Sequence, residues 1–183
     1  MKNTLDRFAT GKVVLILFVL TNIVYVVMLS VTIPMTMEYA NGMDLLDMMP
    51  SGYDSEYIAS LFGQLGAEGR KTYLTRQIPL DLIYPGLFAI CYSLMIAYFL
   101  KNLGRLRSSL FFLCFLPLIA GGADYLENFG IISMLNNYPD LDSSIASLTN
   151  TFTIVKSITT TVFFTVILVL LIMLGIKALR KES

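Results

Sequence analysis

The sequence predicts an all-α integral membrane protein: one transmembrane domain over residues 1–183, a four-helix bundle with a helical extracytoplasmic loop between helices 1 and 2. Three observations lead there. Hydrophobic residues make up 56% of the chain and charged residues only 14%, too apolar a balance for a soluble domain. Four stretches reach the roughly 20 mostly apolar residues that a spanning helix needs. Lysine and arginine gather at the chain ends and in one short turn, as they do in multi-pass proteins.

The first helix is expected over about residues 12–36, since residues 13–37 carry no charge. Its apolar run is longer than the core of a signal peptide and no small-residue cleavage pattern follows, so it should remain as an anchor. Residues 38–77 form the outer loop. Within it Asp54 or Ser55 can cap a helix in which Ile58, Leu61, Phe62 and Leu65 recur at helical spacing, with Gly66 as its stop. A second piece, residues 67–77, carries Glu68, Arg70, Lys71, Tyr73 and Arg76 and runs into helix 2. This segment is a lid, an interfacial helix on lipid, or a cover for helix ends. Met35, Met37, Met43, Met48 and Met49 read as flexible apolar packing rather than as a copper(I) site.

Helix 2 is expected over about residues 79–101, with Pro79 in its first turn. Helix 3 spans about residues 108–135 and is interrupted only by Asp124 and Glu127. Helix 4 covers about residues 150–177, with Lys156 near its head. Lys2, Arg7 and Lys12 precede helix 1, Lys101, Arg105 and Arg107 fill the turn after helix 2, and Lys177, Arg180 and Lys181 end the chain. The turn between helices 3 and 4 has only Asp140 and Asp142. The positive-inside rule then puts both termini in the cytoplasm, in a multi-pass protein of the cell (cytoplasmic) membrane.

Helix rise converts position into depth. From the cytoplasmic boundary Tyr25 lies roughly 20 Å up, Asp124 roughly 21 Å and Glu127 roughly 26 Å. Asp81 and Lys156 come out about 28 to 31 Å up, at the outer edge of a core about 30 Å thick. Every intramembrane charge is thus in the outer half. Asp81, Pro85, Ala89, Ser93 and Ala97 share one stripe of helix 2, whose small residues admit a close neighbour. Cys114, Pro117, Gly121, Asp124 and Asn128 share a face of helix 3, and Thr149, Thr153, Lys156 and Thr160 one of helix 4. Helix 1 has a weaker line of Asn22, Tyr25 and Thr32. If these faces converge, an outward-facing pocket collects Asp81, Asp124, Glu127, Asn128, Lys156 and Arg76, with Tyr25 and Tyr84 among its aromatic walls. Ionisable groups at such depth mark a functional site by default. Structural pairing is the rival reading, with a carboxylate bound to Lys156 and Asp81 reaching headgroup water.

Several chemistries are excluded or disfavoured. The chain has no histidine, and Cys91 and Cys114 fall inside apolar segments, so they read as core thiols and no cofactor is expected. No metal site is assigned: Asp81, Asp124, Glu127 and the Asn128 carbonyl could hold a hard cation, but no EF-hand spacing supports it. Thirteen basic residues balance thirteen acidic ones, so no nucleic-acid partner is expected. There is no P-loop, dinucleotide fingerprint or nucleophile elbow.

Gly66, Glu68, Gly69, Arg70 and Tyr73, then Asp81, Tyr84 and Pro85, then Asp124, Tyr125, Leu126, Glu127 and Asn128 form a pattern. It resembles a family of four-transmembrane-helix prokaryotic membrane proteins with no assigned activity. The resemblance implies a bacterial cytoplasmic-membrane setting and says nothing of chemistry. The topology is also similar to that of claudin-like tetraspan proteins, whose outer-loop cysteine pair is missing here.

Four readings follow. The leading one is a pocket for a membrane lipid or a small amphipathic or cationic ligand, since three carboxylates against Lys156 leave negative charge to be met. The runner-up is a membrane-embedded enzyme with Asp124 or Glu127 as general acid or base. A small proton- or ion-coupled carrier, working as a homo-oligomer or on a very small substrate, and a structural tetraspan partner complete the set.

Overall fold

The computed structural model describes residues 2–182, with side chains from residue 5 to residue 180. Of the basic residues that set the expected orientation, Lys2 and Lys181 therefore lie outside the described side chains. Among the described residues all regular structure is helical, and four helices are long and apolar enough to cross a membrane: Gly11–Met37, Ser55–Asn102, Ser109–Asn137 and Ser143–Arg180.

A short helix, α1 (Lys2–Phe8), precedes the first of these. Thr10 then caps α2 (Gly11–Val27) by accepting a hydrogen bond from the Val13 amide at 3.4 Å. A π-helical turn (Met28–Thr32) joins α2 to α3 (Ile33–Met37). After a 3-10 turn (Leu46–Met48) come α4 (Ser55–Thr72), a second π-helical turn (Tyr73–Gln77) and α5 (Ile78–Asp81). α6 (Tyr84–Asn102) completes that run, a 3-10 segment (Ser109–Phe115) leads into α7 (Leu116–Asn137), and α8 (Ser143–Glu182) ends the chain.

Both π-helical turns stop just before an Ile-Pro pair, Ile33-Pro34 and Ile78-Pro79. A proline inside a helix has no N–H to give and its ring crowds the carbonyl four residues back. Widening the preceding turn relieves that crowding while keeping the chain helical. The loop and helix 2, expected to divide near residue 79, are therefore one helical run that bends. Its first bend is at Gly66, whose φ of 62° is open to glycine and costly for other residues. Asp54 caps this run as expected, its Oδ1 2.8 Å from the Tyr57 amide. The last helix starts earlier than its apolar stretch, at Ser143, because Asp142 accepts from the amides of Ser144 at 2.7 Å and Ile145 at 3.4 Å. Those amides hold the Asp142 carboxyl below its ordinary pKa.

Two cores stack along the bundle. At one end Leu45, Leu46, Ile58, Leu61, Phe62 and Leu65 bury themselves against Ile131 and Met134 of α7, so the segment after α3 is a packed cap over helix ends. Met37, Met43 and Met49 pack against it. At the other end Leu100, Phe111 and Phe163 centre a second core. That end gathers both chain termini and the turn after α6: Lys101 pairs with Asp6 at 2.8 Å and lowers its carboxyl pKa, and Lys177 donates to the Asn102 carbonyl at 2.6 Å.

Glycines set the helix crossings. A Cβ on Gly121 would lie 2.7 Å from the Pro85 carbonyl oxygen and 3.0 Å from the Ala89 Cβ, so α7 sits directly on the small-residue stripe of α6. A Cβ on Gly130 would lie 1.9 Å from the Thr149 Oγ1, which brings α8 equally close to α7. The first span leans mainly on α6, and α8 mainly on α7. The remaining faces of the first and last spans expose residues such as Leu15, Ile16, Leu168 and Ile172.

Candidate functional site

α7 carries Asp124, Glu127 and Asn128 at helical spacing on one buried face. α8 answers with Thr149, Thr153 and Lys156 on the face that meets it. The Lys156 ammonium pairs with Glu127 Oε2 and lies 3.4 Å from Asp124 Oδ1. The other oxygen of Glu127 accepts from Thr153 Oγ1 at 2.7 Å, and the Tyr53 hydroxyl from the cap lies 3.1 Å from that same Thr153 oxygen. Glu127 is wholly buried, so the knot that ties α7, α8 and the cap is centred on a carboxylate shut off from water.

A second group lies beside it. Pro85 cannot donate to the carbonyl four residues back, which is that of Asp81. Asn128 Nδ2 donates to this carbonyl at 3.1 Å and so fills the gap in the helix. Asp81 is 4% exposed, and its Oδ2 has no hydrogen-bond partner among the described residues. Asp47, in the cap's 3-10 turn, reaches toward it. Its Oδ1 accepts from the Tyr73 hydroxyl and its Oδ2 from Gln77 Nε2 at 3.1 Å, while Gln77 Oε1 accepts from Thr32 Oγ1. The two π-helical turns are thereby joined to each other and to the cap.

These groups border a cleft of about 700 Å³ between the first span and α8, floored by α6 and α7. Asp47, Asp81, Asp124 and Lys156 stand at its cap end. Tyr25 and Tyr84 line it next, stacked with ring centres 5.3 Å apart. Phe18, Phe88, Tyr92 and Phe164 line the far end. From Asp81 to Tyr92 the α6 side is roughly 16 Å long by helix rise. The cleft is thus amphipathic along its length, charged at one end and aromatic at the other.

Of the residues singled out from sequence, Asp81, Asp124, Lys156, Tyr25 and Tyr84 line this cleft. Glu127 and Asn128 are fully buried behind its wall, where they hold Lys156 and the Asp81 carbonyl. Arg76 is not brought in: it is exposed and absent from the lining. It lies in the second π-helical turn, where Tyr73 and Gln77 take the buried positions and Arg76 an exposed one. Asp47 and Gln77 were missed. Asp47 had a signal, a lone carboxylate within Leu45-Leu46-Asp47-Met48-Met49. The hard-cation arrangement is not formed: among the described residues no three such side chains converge as metal ligands, and Lys156 fills the space between Asp124 and Glu127. Cys91 and Cys114 are free and buried.

The chain matches no protein-family model, no curated protein and no solved structure. Its function is therefore argued from the cleft alone.

Proposed function

We propose that this is a multi-pass protein of the cytoplasmic membrane, with both termini cytoplasmic, that binds a membrane lipid or small amphipathic molecule in the cleft. The clustering of Arg7, Lys12, Lys101, Arg105, Arg107, Lys177 and Arg180 at the end opposite the cap supports this orientation. The cap and the charged end of the cleft are then extracytoplasmic. The observation that carries the reading is the polarity gradient of the cleft, with carboxylates and Lys156 at the cap end and four aromatic rings at the other. Ligand sites combine apolar walls with a few fixed polar groups, and a volume of about 700 Å³ falls within their usual range. A chain entering sideways between the first and last spans would lay its tail on Phe88 and Tyr92 and its head against Asp81 and Asp124.

Photolabelling tests this. Phe88 and Tyr92 are 5% and 8% exposed, so bulk lipid reaches them poorly. A phospholipid with a diazirine near its tail end should nevertheless label both, as well as the outward Leu168 and Ile172. Thr160→Trp, which fills the cleft from α8, should remove the labelling of Phe88 and Tyr92 and leave that of Leu168 and Ile172. Labelling confined to the outward residues, or unaffected by Thr160→Trp, would overturn the reading.

A further inference from the structure

The geometry points to an alkyl-ammonium headgroup as what the charged end of this cleft receives, with Asp81 as its anionic partner. This rests on the cleft being an amphiphile site and adds the charge of the head.

Four carboxylates, Asp47, Asp81, Asp124 and Glu127, line or back the charged end, and Lys156 is the sole basic side chain lining it among the described residues. Lys156 is engaged by Glu127 and Asp124, and Asp47 by Tyr73 and Gln77. Asp81 is left. Its side chain borders the cleft and is almost fully buried, and its Oδ2 meets no donor among the described residues. The nearby Asn128 donates its amide hydrogen to the Asp81 main chain and leaves its own Oδ1 buried without a partner, a second acceptor in the same place. An unpaired carboxylate and an orphan amide oxygen both ask for a donor, and a primary ammonium brings three with a positive charge.

The walls agree with that charge. The stacked Tyr25 and Tyr84 rings border the cleft beside Asp81, and aromatic faces attract alkyl-ammonium groups. An anionic head would face the carboxylates with only the engaged Lys156 to offset them. A neutral hydroxylated head brings hydrogen-bond donors to Asp81 but no positive charge. The chain below the head would run over Phe88, Tyr92 and Phe164. An ammonium on an apolar tail comes either from a membrane phospholipid with an amino head or from a free amphipathic amine.

The test uses the full-length protein in phosphatidylglycerol nanodiscs, with a tail-diazirine phospholipid labelling Phe88 and Tyr92. Decylammonium, decyl glucoside and decyl phosphate, alike in tail and different in charge, compete for the label. Decylammonium should compete at a concentration about tenfold below that of decyl glucoside, the scale of one charge-assisted hydrogen bond, and decyl phosphate should be weakest. Asp81→Asn keeps the shape and removes the acid group with which an ammonium would pair. It should erase the ammonium advantage while leaving decyl glucoside unchanged. Tyr25→Leu, at the cleft mouth, should reduce the advantage about threefold. Equal competition by all three heads, or an ammonium advantage that survives Asp81→Asn, overturns the headgroup assignment and leaves the amphiphile reading standing. Absence of labelling at Phe88 and Tyr92 overturns that reading itself. Selective retention of phosphatidylethanolamine by the wild type and its loss in Asp81→Asn identify the source as membrane lipid. Competition by decylammonium without such retention identifies a free amine, and both outcomes support the assignment.

Discussion

Lys156 and Asp81 are two buried charges with opposite circumstances. Lys156 touches two carboxylates, and Glu127 opposite it is shut off from solvent, so removing the lysine strands a charge rather than merely deleting a contact. Lys156→Met should lower stability by about 3–5 kcal/mol, and Lys156→Met combined with Glu127→Gln should recover most of that loss. Reversible unfolding in mixed micelles measures both, and a single variant as stable as the wild type would contradict the account of the knot. Asp124, Glu127 and Lys156 were legible in the sequence because a charge within an apolar helix stands out. Asp47 showed only as a lone carboxylate in an apolar run, and its role did not, because its partners Tyr73 and Gln77 reach it only through the folded cap. Arg76 lies five residues before Asp81, and closeness along the chain does not fix direction around a helix that changes its winding.

At the scale of elements, the crossings depend on Gly121 and Gly130, and the bends on Gly66 and two Ile-Pro pairs. Gly130→Ala places a Cβ 2.8 Å from the β-carbon of Thr149, a contact that no rotation of the threonine side chain relieves, and should cost about 1–3 kcal/mol. Gly122→Ala is the matched control: nothing lies within 4 Å of its would-be Cβ, so the substitution should be neutral or slightly stabilising. Equal unfolding temperatures for the two variants would mean that α7 and α8 do not approach as closely as described. The stripe of Pro85, Ala89, Ser93 and Ala97 was readable because small residues recur every four positions, and all four are buried. Gly130 belongs to no such repeat. The helix ends were less legible: apolar length marks the part that can cross a membrane, while caps such as Asp142 extend the helix beyond it.

For the whole molecule, four spans with charge gathered toward one end could be read from depth along each helix. Which helices are neighbours could not. Polar faces on four helices suggest a common centre, yet the first span leans on α6 and α8 on α7, so the space between them opens as a lateral cleft. The knot of Glu127 and Lys156 seals the α7–α8 side of it, the cap closes its top through Asp47, and Asp81 is left bordering it. On the proposed reading, a membrane amphiphile enters this cleft sideways with its head toward the cap. A structure of the protein determined in lipid nanodiscs tests this most directly. The account predicts elongated density from the Phe88, Tyr92 and Phe164 rings to the Asp81 carboxylate. A cleft closed by contact of the first span with α8, or one holding only ordered water along its length, would contradict it.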